Sequence, residues 1–331
     1  MPAAIKTPLR FSNGRLRALF GLVFLAILGY LGFALWSGWE NVAAATRKVG
    51  WAGVGLVLGL SLVNYALRFI RWQMYLAALG HRIAWWPSLR IYLAGFALTA
   101  TPGKAGEALR GLWLQRLRVP LPDSFAAFLS ERLSDLLAIV LLALAGLAAY
   151  PPARWLVAVG AAGILLVFVL VFSQRLQAGV ERRLRGESGL MRLLRSLLQT
   201  LRQTRRCHSP RLLFSASALS LIAWFSEAFA LYLLIRWMGF ETPVVQAVFV
   251  YAVSMLAGAL SFLPGGLGGA EAVMGGLLIF SGMSRPEAVA TTVLIRMGTL
   301  WFAVAIGLIA ASPGGQGKLS PNARKEERKA V

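Results

Sequence analysis

Glu107 and Glu271 are carboxylates set inside hydrophobic stretches, each just after a Pro-Gly break: "TPGKAGEALR" (101–110) and "SFLPGGLGGAEAV" (261–273). Lipid cannot pair the amide groups that irregular backbone leaves open, and an ionised side chain at that depth is expensive. Both are tolerable where protein and water line a cavity. The chemistry such a place supports is binding. A half-helix starting after each break would present its positive dipole end to a carboxylate, an ion or a substrate. Pro102, Gly103 and Gly106 around Glu107, and Pro264, Gly265, Gly266 and Gly268 around Glu271, are therefore candidate site residues. No residue is given a catalytic role.

Other ionisable groups lie within apolar runs. Glu131 and Asp135, in "SFAAFLSERLSDLLAIVLLALAG", are four apart and share a helix face. Arg132 points elsewhere and needs a partner on another helix, for which Glu107 or Glu271 is the candidate. Arg296 lies in a later apolar run, and Glu227 sits mid-span in "LIAWFSEAFALYLL" (221–234). A bare charge in a span normally faces an interior cavity. Arg132 and Arg296 would neutralise the carboxylates or engage a phosphate; fixed helix-bridging pairs without substrate contact are the alternative. Arg68, Arg71 and Trp72 close a span at the cytoplasmic surface, either as ordinary anchors or as a clamp on a lipid phosphate.

The elements that must carry these groups follow from composition. The chain has 331 residues, 58% hydrophobic and 14% charged, with a mean hydropathy of +0.67. Globular domains carry about 25% charged residues, so this balance predicts an all-α polytopic membrane protein. Lys and Arg number 34 against 13 acidic residues, a net charge of +21. The basic runs lack interleaved aromatics and any reading module, which argues against nucleic acid and for anionic lipid headgroups as partners. One cysteine, Cys207, rules out an intramolecular disulfide, and it reads as a bystander in a basic loop. His81 and His208 are too far apart in sequence for a His-rich metal site, and "GGQGKLS" (314–320) has the wrong spacing for a phosphate loop. No cofactor and no metal are expected.

Apolar runs near 18–36, 51–70, 124–150, 153–173, 212–237 and 287–311 can each cross a bilayer, which takes about 20 residues. Two more, about 87–114 and 243–282, are interrupted by the Pro-Gly clusters. The run at 18–36 is long for a signal-peptide core and reads as a retained helix. Cations set direction. They collect in 1–17, in the loop 174–211 and in the tail 312–331, which predicts those segments and both termini on the cytoplasmic side. Arg68, Arg71, Arg82 and Arg90 precede the first interrupted stretch, and Lys104, Arg110, Arg116 and Arg118 lie in or after its break. Its flanks are therefore cytoplasmic. The second stretch is flanked by "GFET" (239–242) and "SGMSRP" (281–286), with the single cation Arg285, and its flanks face outside. Six full spans and two re-entrant hairpins result, within one membrane domain over 18–311. Arg47 and Lys48 fit least well, because their loop must face outward.

Residues 107–132 and 271–296 align without a gap. They share Glu107/Glu271, Ala108/Ala272, Gly111/Gly275, Leu114/Leu278, Pro122/Pro286, Ala126/Ala290 and Arg132/Arg296, 7 of 26 positions. Matches of Leu and Ala are cheap in apolar company; Glu, Pro and Arg at one offset are not. Arg110, Arg116 and Arg118 of the first copy become Met274, Phe280 and Gly282 in the second, as expected if that copy faces the other side. This predicts an inverted-topology repeat, about 51–150 and 212–311, whose two breaks meet near the midplane.

The order "RFIRWQMYLAALG" (68–80), "TPGKAGEALR" (101–110), "ERLSD" (131–135) and "FLPGGLGGAEAV" (262–273) resembles the flippase-like membrane domain of lysylphosphatidylglycerol synthases, over roughly residues 50–311. In the synthases that domain is associated with moving an aminoacylated phospholipid between leaflets. The synthases add a large soluble domain, whereas about 20 residues follow the last run here. The resemblance therefore implies a stand-alone translocase, and stand-alone members are linked to glycolipid, polyprenyl-linked glycan or hopanoid pathways. The motif positions it marks are Pro102, Gly103, Gly106, Glu107, Glu131, Arg132, Asp135, Pro264, Gly265, Gly266, Gly268 and Glu271. The expectation is a lipid flippase-like transporter of the bacterial inner membrane, driven by a proton or ion gradient or by the lipid's own. A membrane-embedded enzyme acting on a lipid-linked phosphate or sugar, and an accessory subunit of a glycosyltransferase or lipid-synthesis partner, are the alternatives.

Overall fold

The computed structural model describes residues 39–101, 105–147, 151–183 and 189–312, with Gly21 and Gly32 besides. The segment 1–17, the apolar run 18–36, Pro102, Gly103, Lys104 and the tail from 313 lie outside the described residues. Regular structure among the described residues is helical, and several helices are long and apolar enough to cross a membrane.

The first helices are α1 (Trp39–Ala78), α2 (Trp85–Phe96), α3 (Arg110–Gln115, entered through a 3-10 turn at Ala105–Leu109) and α4 (Leu121–Gly146). Next come α5 (Arg154–Phe172), α6 (Gln174–Arg183), α7 (Gly189–Arg206) and α8 (Pro210–Trp237). The last are α9 (Val244–Leu260), α10 (Gly269–Phe280) and α11 (Arg285–Arg296), which continues through a π-turn (Met297–Trp301) into α12 (Phe302–Ala311).

At 40 residues α1 would measure about 60 Å, twice the hydrocarbon thickness. It bends at Gly50, whose φ of 70° and ψ of 166° interrupt the helix, and the part after the bend is by itself long enough to cross a membrane. Lys48, just before the bend, donates from Nζ to the Met238 carbonyl beyond the end of α8. Unpaired carbonyls at a helix C-terminus favour a cation. Of the two cations that fitted the orientation pattern least, Lys48 thus has a local reason for its place.

Turns interrupt the helices at both expected breaks. Beyond α2 the chain turns through residues 97–101, and beyond α9 it turns through 261–268, where Gly265, Gly266 and Gly268 all have positive φ. From Ala247 to Ser254 every residue of α9 is buried, as befits a helix apolar on all sides. It packs on α4, α8 and α10, while α1 lies along α8 and α2 along α12. Two helices open alike: Pro122 and Pro286 hold the second position of α4 and α11, where a missing N–H costs nothing, and Arg132 and Arg296 hold the twelfth.

The basic segment 174–211 is largely helical. Leu194, Leu198 and Leu201 recur at helical spacing on α7, which packs on α4 and α5, while Arg195, Arg202, Arg205 and Arg206 stay exposed. Cys207, at the end of this segment, is not an exposed loop residue but fully buried, and burial pushes its thiol up to about 12. The thiolate is the reactive form, so maleimide at neutral pH should leave native Cys207 unlabelled and modify it fully after unfolding. Rapid labelling of the folded protein would mean that the corner between α7 and α8 opens.

Candidate functional site

The two breaks touch. The Gly265 amide faces the Thr101 carbonyl at 3.5 Å, and a Cβ on Gly265 would lie 3.4 Å from Ala100 Cα. Gly266, with φ 69°, presses on α9: a Cβ there would sit 3.0 Å from Gly258 Cα, so glycine alone suits both the conformation and the approach. Gly106 donates its amide to Thr101 Oγ1 at 2.8 Å. In the other break the Pro264 carbonyl accepts from Leu267 at 3.0 Å, closing the turn that leads to α10. Gly268 heads α10, and its amide donates to Glu271 Oε2 at 2.6 Å.

Around the first break, α1, α3 and α4 bring four arginines to three carboxylates. Asp135 pairs with Arg71 at 2.7 Å, with Arg132 at 3.2 Å and with Arg68 at 3.4 Å. Glu131 meets Arg110 at 2.6 Å and Arg71 at 4.0 Å. Glu107 meets Arg132 at 3.4 Å and Arg110 at 3.9 Å. Traced through these contacts, Asp135, Arg71, Glu131, Arg110, Glu107 and Arg132 close a ring of alternating charge, with Arg68 attached at Asp135. Neutral donors complete it: Trp224 Nε1 donates to Asp135 at 3.0 Å, and Thr99 Oγ1 donates to Glu107 at 2.9 Å. Arg110 lies 4.4 Å over the Trp72 ring, and its stem passes Gly95, where a Cβ would fall 2.5 Å from Arg110 Cδ.

Around the second break the arrangement is smaller. Arg296 donates from Nε to Glu271 at 2.6 Å and from Nη2 to the Gly265 carbonyl at 2.8 Å. Glu227, on α8, accepts from the Tyr251 hydroxyl of α9 at 2.5 Å. Between the two groups lies a cavity of about 40 Å³ whose wall includes Arg68, Thr99, Glu107, Glu227, Tyr251 and Arg296. A water needs about 10–15 Å³ of such space, so two or three waters fit and a lipid headgroup does not. Five arginines (Arg68, Arg71, Arg110, Arg132, Arg296) and five carboxylates (Glu107, Glu131, Asp135, Glu227, Glu271) gather here, a formal charge of zero. Such balance is what a low-dielectric interior requires.

The candidate residues divide by position. Arg68, Glu107, Glu227 and Arg296 line the cavity. Glu271 joins it through Arg296, and Arg132 through Glu107. Arg71, Glu131 and Asp135 stand behind it in the ring, while Pro102 and Gly103 lie outside the described residues. Arg68 and Arg71 are not surface anchors, since both are buried and Arg71 is 0% exposed. Nor is Arg110 a loop cation: at 1% exposure it is part of the ring, so three of the arginines used to orient the chain carry no weight there. Arg110, Thr99, Trp224 and Tyr251 escaped the sequence reading. For Arg110 the available signal was its place three residues after Glu107, on the same turn.

Together these features define a class, an all-α membrane protein with a buried charged cavity where two interrupted helix pairs touch. A sequence profile of the lysylphosphatidylglycerol synthase TM region matches residues 19–307, and the chain belongs to that family. It is similar to a UPF0104 membrane protein of Methanothermobacter thermautotrophicus (strain Delta H), 26% identical over 307 residues, 87% of this chain and 91% of the relative. A second UPF0104 membrane protein of that organism is 24% identical over 315 residues, 87% and 93% of the two chains. One from Pyrococcus horikoshii is 21% identical over 315 residues, 86% and 94%.

Proposed function

We propose that the chain is a lipid flippase-like transporter rather than an enzyme, moving a lipid between leaflets of a bacterial inner membrane. The lipid class is a phospholipid, an aminoacylated lipid, or a lipid-linked glycan or hopanoid-type lipid. The observation that carries this reading is the small charged cavity at the contact of the two breaks. In this reading α2–α3 and α9–α10 are re-entrant hairpins from opposite faces, six segments span fully, and both termini are cytoplasmic. Support for an inverted repeat comes from the matching helix positions of Pro122 and Pro286. The pairs Glu107–Arg132 and Glu271–Arg296 add to it, each joining residues 25 apart. Support for a phosphate comes from Arg68 and Arg296 in the cavity wall; Arg68 Nε is buried with no hydrogen-bond partner among the described residues.

At this size the cavity cannot take a headgroup, so loading requires helices to part, as alternating access demands. Its charges already balance. An anionic headgroup must then bring a proton or another cation with it, and Glu107 and Glu227 are the carboxylates placed to take the proton. Reconstitution into liposomes with leaflet-resolved detection of a fluorescent phosphatidylglycerol and of a polyprenyl phosphate tests the reading. Movement of either lipid, chemically unchanged, supports it. A covalently altered lipid would make the protein an enzyme, and no movement of either with or without a pH gradient would refute transport.

A further inference from the structure

A second cavity, of about 450 Å³, opens where α2, α3 and α12 converge, an order of magnitude larger than the charged one. Its wall includes Trp86, Arg90 and Ala94 from α2, Trp113 and Arg116 from α3 and the turn after it, and Ala310 from α12. Arg90 is half-buried and Arg116 exposed, and neither forms an ion pair among the described residues. Every other buried arginine named above faces a carboxylate. A mostly apolar groove of this volume suits a small amphiphile, and two unmatched guanidinium groups at its side suit a phosphate. Trp86 and Trp113 line the same groove as the two arginines, the residue types that collect at the headgroup level of a bilayer.

The groove lies on the same seam as the charged cavity. Along α12, Ala303 lines the cavity, Gly307 follows one turn later, and Ala310 lines the groove. On α2, Phe96 lines the cavity and Ala94 the groove. Gly307, between the two lining positions of α12, packs directly on the backbone at the end of α2: a Cβ would lie 2.0 Å from the Ala97 nitrogen and 2.6 Å from the Phe96 carbonyl carbon. A backbone-to-backbone contact of α2 with α12 therefore lies on the seam that carries both the large groove and the small charged cavity.

We propose that this groove docks an anionic phospholipid of the surrounding leaflet. Arg90 and Arg116 hold its phosphate, an acyl chain lies along the apolar wall, and the α2–α12 seam at Gly307 is the partition the headgroup passes. The role of the seam rests on the transport reading; the docking of lipid does not.

Native mass spectrometry of the full chain, with phosphatidylglycerol, diacylglycerol of the same acyl chains and glycerol phosphate as probes, tests the docking. Two charge-assisted contacts should favour phosphatidylglycerol over diacylglycerol by about ten-fold or more. Arg90→Gln with Arg116→Gln should abolish that preference, Arg90→Lys with Arg116→Lys should keep most of it, and the exposed Arg211→Gln should leave it intact. Equal binding of the two lipids by the unaltered protein overturns the proposal. So does an unchanged preference in the double Gln variant, or displacement of all bound lipid by glycerol phosphate. Lipid binding that appears only after residues 313–331 are removed, or only in a dimer, assigns the groove to the chain's own tail or to a second copy and also overturns it. Docking without translocation would sink the transport reading alone; translocation with an unaltered preference in the double Gln variant would sink the docking alone.

Discussion

Glu107→Gln should cut lipid translocation in proteoliposomes by about ten-fold or more, the scale of one lost charge-assisted contact, while the protein still folds. The reason for both halves lies in the ring. Glu107 lines the cavity, so neutralising it changes the charge a headgroup or proton would meet. Its two arginine neighbours are not stranded, because Arg132 keeps Asp135 at 3.2 Å and Arg110 keeps Glu131 at 2.6 Å. The glutamine carbonyl can still accept from Thr99. Glu271→Gln should also impair transport, but with a loss of stability, since Glu271 both pairs with Arg296 and caps the start of α10. Transport by Glu107→Gln at the unaltered rate would remove this carboxylate from the mechanism.

Asp135→Asn carries the largest expected effect on stability, a loss of about 3–5 kcal/mol, the usual result of removing one partner from a buried charge cluster. Asp135 is the hub at which Arg68, Arg71 and Arg132 meet, and it also accepts from Trp224. With the charge gone, Arg68 faces no carboxylate among its ion pairs, and Arg71 retains only Glu131 at 4.0 Å. Thermal unfolding in a mild detergent, followed by far-UV circular dichroism, measures the loss. Glu181→Gln is the control, because its pair with Arg202 is exposed at the surface. If the two variants unfold at the same temperature, the ring contributes nothing to stability.

Much of the helix order was readable from residues alone. Long apolar runs give α5 and α8, and the Pro-Gly cluster at 264–268 gives the interruption after α9, because proline and positive-φ glycine end helices whatever surrounds them. The need of Arg132 for a partner on another element was also legible, and Glu107 supplies it. What could not be read was which cations turn inward. Arg68, Arg71 and Arg110 have the composition of loop anchors, and only the packing of α1 against α4, with the gap left by Gly95, shows that they are buried. Spacing along one helix reports its own face but not the charge on the neighbour it meets. The amphipathic α7 was hidden for a related reason: its arginines dominate the composition, while its buried stripe is narrow.

Cysteine accessibility at two matching corners bears most directly on the idea that oppositely oriented halves enclose the charged cavity. Arg116→Cys lies in the turn ahead of α4 and Arg285→Cys at the first position of α11, both positions are exposed, and buried Cys207 supplies a silent background. In sealed, right-side-out vesicles a membrane-impermeant maleimide should label position 285 from outside and position 116 only after permeabilisation. Labelling of both from the same side would contradict the account.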